Sequence, residues 1–349
     1  MAEGSDRFLR ACRRQRVDTT PVWIMRQAGR YLPQYREVRR NAGSFLALCK
    51  TPELACRVTL QPIDLLGVDA AILFSDILIP LQAMGMSLDF VEGEGPVLDR
   101  VRDTADLNRL RIPVPEEELP FVAEAVSLIR RELSGKVPLI GFCGAPFTLA
   151  CYALEGGGTK DFKRILGWLY GNPEGYGRLM DLLCETVIVS LRAQVAAGVQ
   201  AVQLFDTWAG VLSRRLYRDH ALPWVRKVFA GLRDLEVPLI LYVNGCAPFL
   251  EDMAGSGADV LSVDWRVSLA EAQERTRGRV ALQGNLDPRA LYAPASALRR
   301  EILAVLAEAP ASGHIFNLGH GVLPDTPVEA VQALVETVHE AGRGGDLRL

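Results

Sequence analysis

Nothing in the chain is long and apolar enough to span a membrane. Its longest uncharged run, Leu139–Leu154, falls short of a span and is broken by Gly141, Gly144 and Pro146. The start, Met1–Arg14, mixes charges with single apolar residues and lacks the apolar core of a secretory signal. Cysteine is sparse and scattered: seven residues, at 12, 49, 56, 143, 151, 184 and 246, with no C-x-x-C pair. An odd set without an export signal excludes a disulfide framework and points to reduced thiols in the cytoplasm. An excess of one charge is also missing. A net charge of −3 over 349 residues gives no global field for gathering nucleic acid. Two nucleotide signatures are absent as well. No G-x-G-x-x-G follows the first apolar run, and Gly135-Lys136 continues into Val137 where a Walker loop needs Ser or Thr.

The composition that remains, 49% hydrophobic and 23% charged, is that of a soluble globular enzyme able to bury a large core. Its charge is unevenly spread. Residues 1–50 hold eleven Arg or Lys against four Asp or Glu, a surplus of seven, while the whole chain is at −3. A basic end on an acidic body suggests a local anion site or a solvated arm.

Short β-rich runs recur, each followed by an amphipathic stretch. They lie at Val22–Met25, Ala70–Phe74, Val137–Phe142, Ala201–Phe205, Pro238–Val243, Asp259–Val263, Val280–Gln283 and His314–Leu318. Being apolar on both faces, they read as parallel strands covered by helices. Thr51-Pro52-Glu53 and Thr326-Pro327-Val328-Glu329 signal helix starts, the second with a capping box. Eight strands alternating with helices, without a linker or low-complexity segment, predict one (β/α)8 TIM barrel over residues 1–349. A doubly wound open sheet is the alternative, disfavoured by the missing glycine-rich turn.

Barrel active sites sit at the carboxyl ends of the strands. There the chain places Arg26 and Arg30, then Ser75-Asp76, Cys143-Gly144 with Tyr152 beyond, and Asp206-Thr207. Asn244, Asp264, Gly284-Asn285 and Asn317-Leu-Gly-His320-Gly321 complete the rim. Turn and cap chemistry accounts for Asp264, Asn285 and Asp206. It does not account for two arginines, a carboxylate, a tyrosine and a histidine converging. Arg26 and Arg30 are four apart, so a helical turn would put both on one face, where their planar forks suit carboxylates or phosphates. Gly29 between them would let the backbone approach a ligand. Asp76 stands in the apolar setting Leu73-Phe-Ser-Asp-Ile-Leu78, where an unpaired charge is expensive; it either caps a helix or meets N–H donors or a cation. His320 is the one histidine at a strand end. His220 and His339 read as helix-surface residues, and His314 opens its strand at the far end.

Several segments resemble the uroporphyrinogen decarboxylase family. Met25-Arg-Gln-Ala-Gly-Arg-Tyr-Leu-Pro33 with Tyr35-Arg36-Glu37 is similar to its first signature. Gly141-Phe-Cys-Gly-Ala-Pro-Phe-Thr148, leading to Tyr152 and Glu155-Gly-Gly-Gly158, is similar to its second. Phe74–Leu78, Gln203–Gly210, Val263–Arg266, Gln283–Asp287 and Asn317–Gly321 match further blocks in order, so the resemblance spans residues 5 to 340. It implies a barrel that forms homodimers and decarboxylates the four acetate arms of uroporphyrinogen, with neither metal nor cofactor. It further implies that Arg26 and Arg30 contact substrate carboxylates, with Gln27 and Ala28 contributing backbone. Asp76 would receive the pyrrole N–H groups. Tyr152, Thr207 and His320 would bond the acetate and propionate arms, and Phe45 and Phe205 would line the cleft. Thr207 stands where many members have serine. The resemblance makes Asp76, Arg26, Tyr152 and His320 the candidate catalytic set, with Arg26, directly or through water, ranked above His320 as proton donor.

Three other readings exist. A zinc-dependent corrinoid methyltransferase on a related barrel would need a His-x-Cys pair and a later cysteine, but here Asn244-Gly-Cys246 is followed by none. A non-catalytic tetrapyrrole carrier would have no reason to keep Asp76, Arg26, Tyr152 and His320 together. A barrel binding phosphate esters at the turn after the last strand leaves Asp76 without a purpose.

Overall fold

The computed structural model describes residues 5–344. Met1–Gly4 of the charged start and the last five residues of the expected 1–349 domain lie outside the described residues. Seven parallel strands form one sheet: β1 (Ala71–Ile72), β4 (Leu139–Gly144), β5 (Ala201–Asp206), β6 (Leu239–Val243), β7 (Val260–Ser262), β8 (Ala281–Gln283) and β9 (His314–Ile315), each beside the next. The Val22–Met25 run closes the ring. Val22 bridges Phe316, Phe316 N–H donates to Pro21 C=O (2.8 Å), and Asp69 N–H donates to Val22 C=O (2.7 Å). All eight expected runs therefore take their places in a (β/α)8 barrel. The first contributes only a bridge because its next backbone donors are taken by side chains. Ile24 N–H donates to Gln27 Oε1 (3.1 Å) and Met25 N–H to Asn317 Oδ1 (3.0 Å).

The strands are buried on both faces, as continuous apolar runs require. Outward residues such as Leu204, Leu241 and Leu261 pack under the helix layer. Inward residues including Trp23, Ile140, Phe205, Ile240 and Tyr242 fill the barrel. A polar layer crosses this interior: Trp23 Nε1 donates to Gln283 Oε1 (2.9 Å), and Gln283 Nε2 donates to Gln203 Oε1 (3.1 Å) and Ser262 Oγ (2.9 Å). The amino-terminal helix Arg7–Cys12 plugs the bottom with Phe8, Ala11 and Cys12. There Arg7 pairs with Asp18 and Asp69, and Arg14 donates to Gly278 C=O. The basic surplus of residues 1–50 is thus shared between the two barrel ends, not concentrated at the mouth.

Several local expectations change. Thr51 precedes its helix, but its hydroxyl donates to Ala47 C=O (2.7 Å) and does not cap. The Thr326 hydroxyl lies 3.4 Å from Tyr292 Oη. His339 is no surface residue: its Nε2 lies 2.8 Å from Asp69 Oδ2, tying the last helix to the barrel seam. An antiparallel hairpin, β2 (Leu88–Val91) with β3 (Gly95–Leu98), stands outside the βα rhythm. Among the described residues no helix is long and apolar enough to cross a membrane.

Candidate active site

Asp76 follows β1 on a short turn. Its Oδ1 accepts Leu78 N–H (2.9 Å), so the local cap reading holds for one oxygen, while Oδ2 has no partner among the described residues. Burial in the apolar wall raises its pKa to about 6, opposed by the Leu78 N–H and the Arg26 charge. On the rim, Phe74 packs against Phe45 (5.9 Å between ring centroids) and Tyr35 (5.6 Å), and Phe45 against Phe90 of the hairpin (4.6 Å). Phe45 therefore belongs to the aromatic wall beside Asp76. A cavity of about 240 Å³ lies behind Asp76, between the helices Pro120–Leu133 and Pro173–Ala197.

Arg26 is not on a helical turn. Its φ is +64°, a left-handed conformation that strains a side-chain-bearing residue by roughly 1–2 kcal/mol. Arg26 and Arg30 consequently do not share a helical face. Arg26 reaches Asp76, Tyr152 and His320 electrostatically, whereas the Arg30 charge acts on Tyr35. Gly29 serves its own turn: a Cβ there would lie 2.8 Å from Arg26 C=O. Gln27 is fully buried, its Nε2 donating to Ala70 C=O (3.1 Å) and its C=O accepting the Tyr31 hydroxyl (2.9 Å). Gln27 is thus committed to holding the loop, with Ala28 partly buried beside it.

Tyr152 stacks on Trp208 (4.0 Å, 24°). Burial, with Asp76 next in effect, keeps its phenol protonated well above the ordinary tyrosine range. A hydrogen-bond chain fixes Trp208: its N–H donates to Thr148 Oγ1 (3.2 Å), and that hydroxyl donates to Asp206 Oδ1 (2.8 Å). Thr207, partly buried, sits between these anchors. Phe205 forms the floor with Phe142 (5.6 Å) and Tyr242 (5.9 Å).

Asp206 is completely buried, its Oδ2 has no partner, and burial raises its pKa to about 7 against the Thr148 hydrogen bonds. The folded state therefore holds this proton more tightly than the unfolded chain. Stability is lowered above pH 7 and recovers as pH falls toward the ordinary carboxylate value. Asp206→Asn is expected to stabilise the fold by roughly 2–4 kcal/mol at pH 8, with the gain shrinking toward pH 5. Thermal unfolding at the two pH values checks this; a loss of stability at pH 8 would contradict it.

His320 sits between two glycines. Its Nδ1 accepts Gly321 N–H (2.7 Å), which leaves the proton on Nε2. Burial first, then Arg26 and Arg266, lower its pKa to about 4. At neutral pH it is a neutral donor, not a protonated acid. The two flanking glycines admit close neighbours: a Cβ on Gly319 would lie 2.5 Å from Trp265 N, and one on Gly321 2.8 Å from Arg26 Cγ. Asp264, Asn285 and Asn317 do serve the loops. Asp264 accepts the Gly245 and Arg266 N–H groups, Asn285 Nδ2 donates to Asp264 C=O (2.9 Å), and Asn317 Oδ1 accepts Leu318 N–H (2.7 Å).

Asp76, Tyr152 and His320 thus all lie within reach of the Arg26 charge, while Phe45 and Phe205 pack in separate aromatic clusters. Strand-end reasoning missed Trp208 and Arg266. The first is an aromatic one residue past Thr207, and the second lay inside a matched block without a role. Cys246, the candidate zinc thiol of the methyltransferase reading, is completely buried, and burial pushes it up to about 12.

Comparison with known proteins bears on the chain as a whole. A methyltransferase from Methanosarcina mazei superposes with a TM-score of 0.82 over 97% of this chain and 99% of its own, at 24% identity, a likeness of fold. Among curated proteins, the uroporphyrinogen decarboxylase of Thioalkalivibrio sulfidiphilus is 54% identical over 97% of this chain and 98% of its own. That of Geobacter metallireducens is 53% identical over 96% and 98%. The sequence pattern described as uroporphyrinogen decarboxylase (URO-D) matches residues 3–341, and the chain belongs to that family.

Proposed function

We propose that the chain, acting as one barrel domain, converts uroporphyrinogen III to coproporphyrinogen III by removing its four acetate carboxylates as CO2. The observation that carries this reading is the Asp76 carboxylate, set in an apolar wall with one oxygen unpartnered, Arg26 and Tyr152 within electrostatic reach of it, and neutral His320 beside Arg26. Four pyrrole N–H groups converge at the centre of a porphyrinogen, and a single anion beneath them satisfies donors that would otherwise lose their hydration.

Chemistry on such a ring needs no separate electron sink. Protonation of the pyrrole α-carbon beside an acetate-bearing carbon makes the ring cationic. The bonding pair of the C–CO2 bond then flows into the ring and CO2 leaves. A proton added to the exocyclic methylene, with loss of the ring proton, restores the pyrrole bearing a methyl group. One proton is consumed for each CO2 released. The role of Asp76 is to stabilise the positive charge that develops on the ring. Arg26 grips a carboxylate arm and delivers the ring proton directly or through a water it holds. His320 Nε2–H, Tyr152 and Thr207 bond the arms, Arg30 offers a second guanidinium to the substrate carboxylates, and Gln27 and Ala28 shape the arginine loop. This assignment needs no resident metal or cofactor. The reduced, free thiols support a cytoplasmic location, and the homodimer implied by the resemblance is part of the same reading, checked by sedimentation equilibrium.

Anaerobic incubation with uroporphyrinogen III, followed by oxidation and chromatography, tests the reaction. Porphyrins with seven, six, five and four carboxylates are expected; recovery of the eight-carboxylate species alone would contradict the reading. The pH dependence follows from Asp76, which must be ionised. Activity is retained above its pKa and lost as pH falls through it, so kcat/KM should show an acid limb near pH 6. Bound pyrrole N–H groups favour the carboxylate, so the kcat limb should lie lower. His320→Asn should keep the limb; its disappearance there would assign it to the histidine instead.

A further inference from the structure

Arg266 has no role in the reading above, yet its geometry is that of an anion grip. It follows β7 at the mouth, where its Nη1 pairs with the buried Asp264 and donates to Asn244 Oδ1 (3.0 Å). Its guanidinium lies 4.2 Å from the Trp265 ring centroid. One corner of the fork is therefore anchored and its plane fixed by stacking. Nε and Nη2 have no acceptor among the described residues, and the side chain is 49% exposed. The Nε–Nη2 edge is the one that meets a carboxylate with two parallel hydrogen bonds. A grip already oriented loses little freedom on binding.

Its place relative to His320 is set by glycine. Trp265 packs where a Gly319 side chain would be, and the Arg26 stem where a Gly321 side chain would be. The imidazole is thus flanked by the two arginine-bearing segments, and both charges act on it. Arg26 and Arg266 bring two guanidinium groups to the neighbourhood of one neutral imidazole donor.

We propose that Arg266 binds a propionate carboxylate of the tetrapyrrole and so sets the rotational register of the macrocycle; this deepens the decarboxylase reading and rests on it. Propionate fits better than acetate on two grounds. It is one methylene longer, matching a half-exposed arginine at the rim. It also survives all four decarboxylations, so a fixed grip on it holds every intermediate in the same way. Asp264 offsets part of the arginine charge, which keeps the grip weak enough for the ring to be released and turned between rounds.

The test uses coproporphyrinogen III, which retains the propionates and has no acetates, with bound ligand separated anaerobically by ultrafiltration and measured after oxidation. Arg266→Lys leaves a cation beside Asp264 but removes the fork, and Arg266→Gln removes the charge. Both are expected to weaken coproporphyrinogen binding by about tenfold and raise KM for uroporphyrinogen similarly, with kcat within about twofold. The KM increase should be the same for eight-, seven- and five-carboxylate substrates. Unchanged coproporphyrinogen affinity in folded Arg266→Gln protein would overturn the proposal, and so would a KM effect that fades as acetates are lost. Failure of the wild-type protein to decarboxylate uroporphyrinogen would instead overturn the underlying reading.

Discussion

Asp76→Asn is expected to lower kcat by about a hundredfold or more while weakening product binding less than tenfold. Asn fills the same volume, and its Oδ1 can still accept Leu78 N–H, so the turn keeps its shape. What disappears is the negative charge facing the ring. In the ground state the pyrrole N–H groups need an acceptor, and a neutral amide oxygen supplies one at modest loss. At the transition state the ring carries positive charge, and only an anion in a poorly solvated site stabilises that differentially. Burial that raises the Asp76 pKa to about 6 also means that the variant should be no less stable than wild type at pH 8. Equal thermal stability would show that lost turnover is not lost folding. Near-normal kcat would remove Asp76 from the mechanism.

The second large effect concerns Arg26 and the glycine beside it. Arg26→Lys keeps the charge but gives up the planar fork, and kcat/KM should fall by about a hundredfold. Gly321→Ala should approach that loss without touching the arginine itself. The added methyl would lie 2.8 Å from Arg26 Cγ, and Gly321 does not have a left-handed φ. Its backbone therefore tolerates alanine, and the displaced atoms belong to a mobile side chain. The fold survives while Arg26 is pushed off its position. Because both changes act through one guanidinium, the double variant should be scarcely worse than Arg26→Lys alone. Steady-state kinetics of the three variants check this; multiplicative losses would separate the two residues.

Much of this architecture is legible in the amino-acid sequence for a simple reason. Parallel strands buried on both faces are apolar until they end, so the first polar residue after each run marks the mouth. That logic places Asp76, Asp206, Asp264 and His320 correctly at strand ends. It also explains why Asp264 and Asn285 are loop anchors, since a strand end needs such partners as well as chemistry. The failures have equally local causes. Four-residue spacing suggested a helical turn for Arg26 and Arg30, but the left-handed Arg26 depends on Gln27 reaching Ala70 and on Asn317 binding Met25, contacts from across the barrel. The hairpin at Leu88–Leu98 escaped because its strands are short, carry Asp89 and Pro96, and interrupt the alternation of strand and helix. The stacking of Tyr152 on Trp208 joins residues fifty-six positions apart and leaves no periodic trace. Arg7 and Arg14 belong to the barrel bottom because the first helix turns its apolar face inward, which charge counting does not detect.

The claim on which the mechanism turns is that one carboxylate lies under the centre of the macrocycle while cations hold its arms. A structure of the protein crystallised anaerobically with coproporphyrinogen III tests it directly. The pyrrole nitrogens should lie about 3 Å from the Asp76 carboxylate, with propionate arms directed to Arg26 and His320. A tetrapyrrole bound with its edge toward Asp76, or outside this mouth altogether, would contradict it.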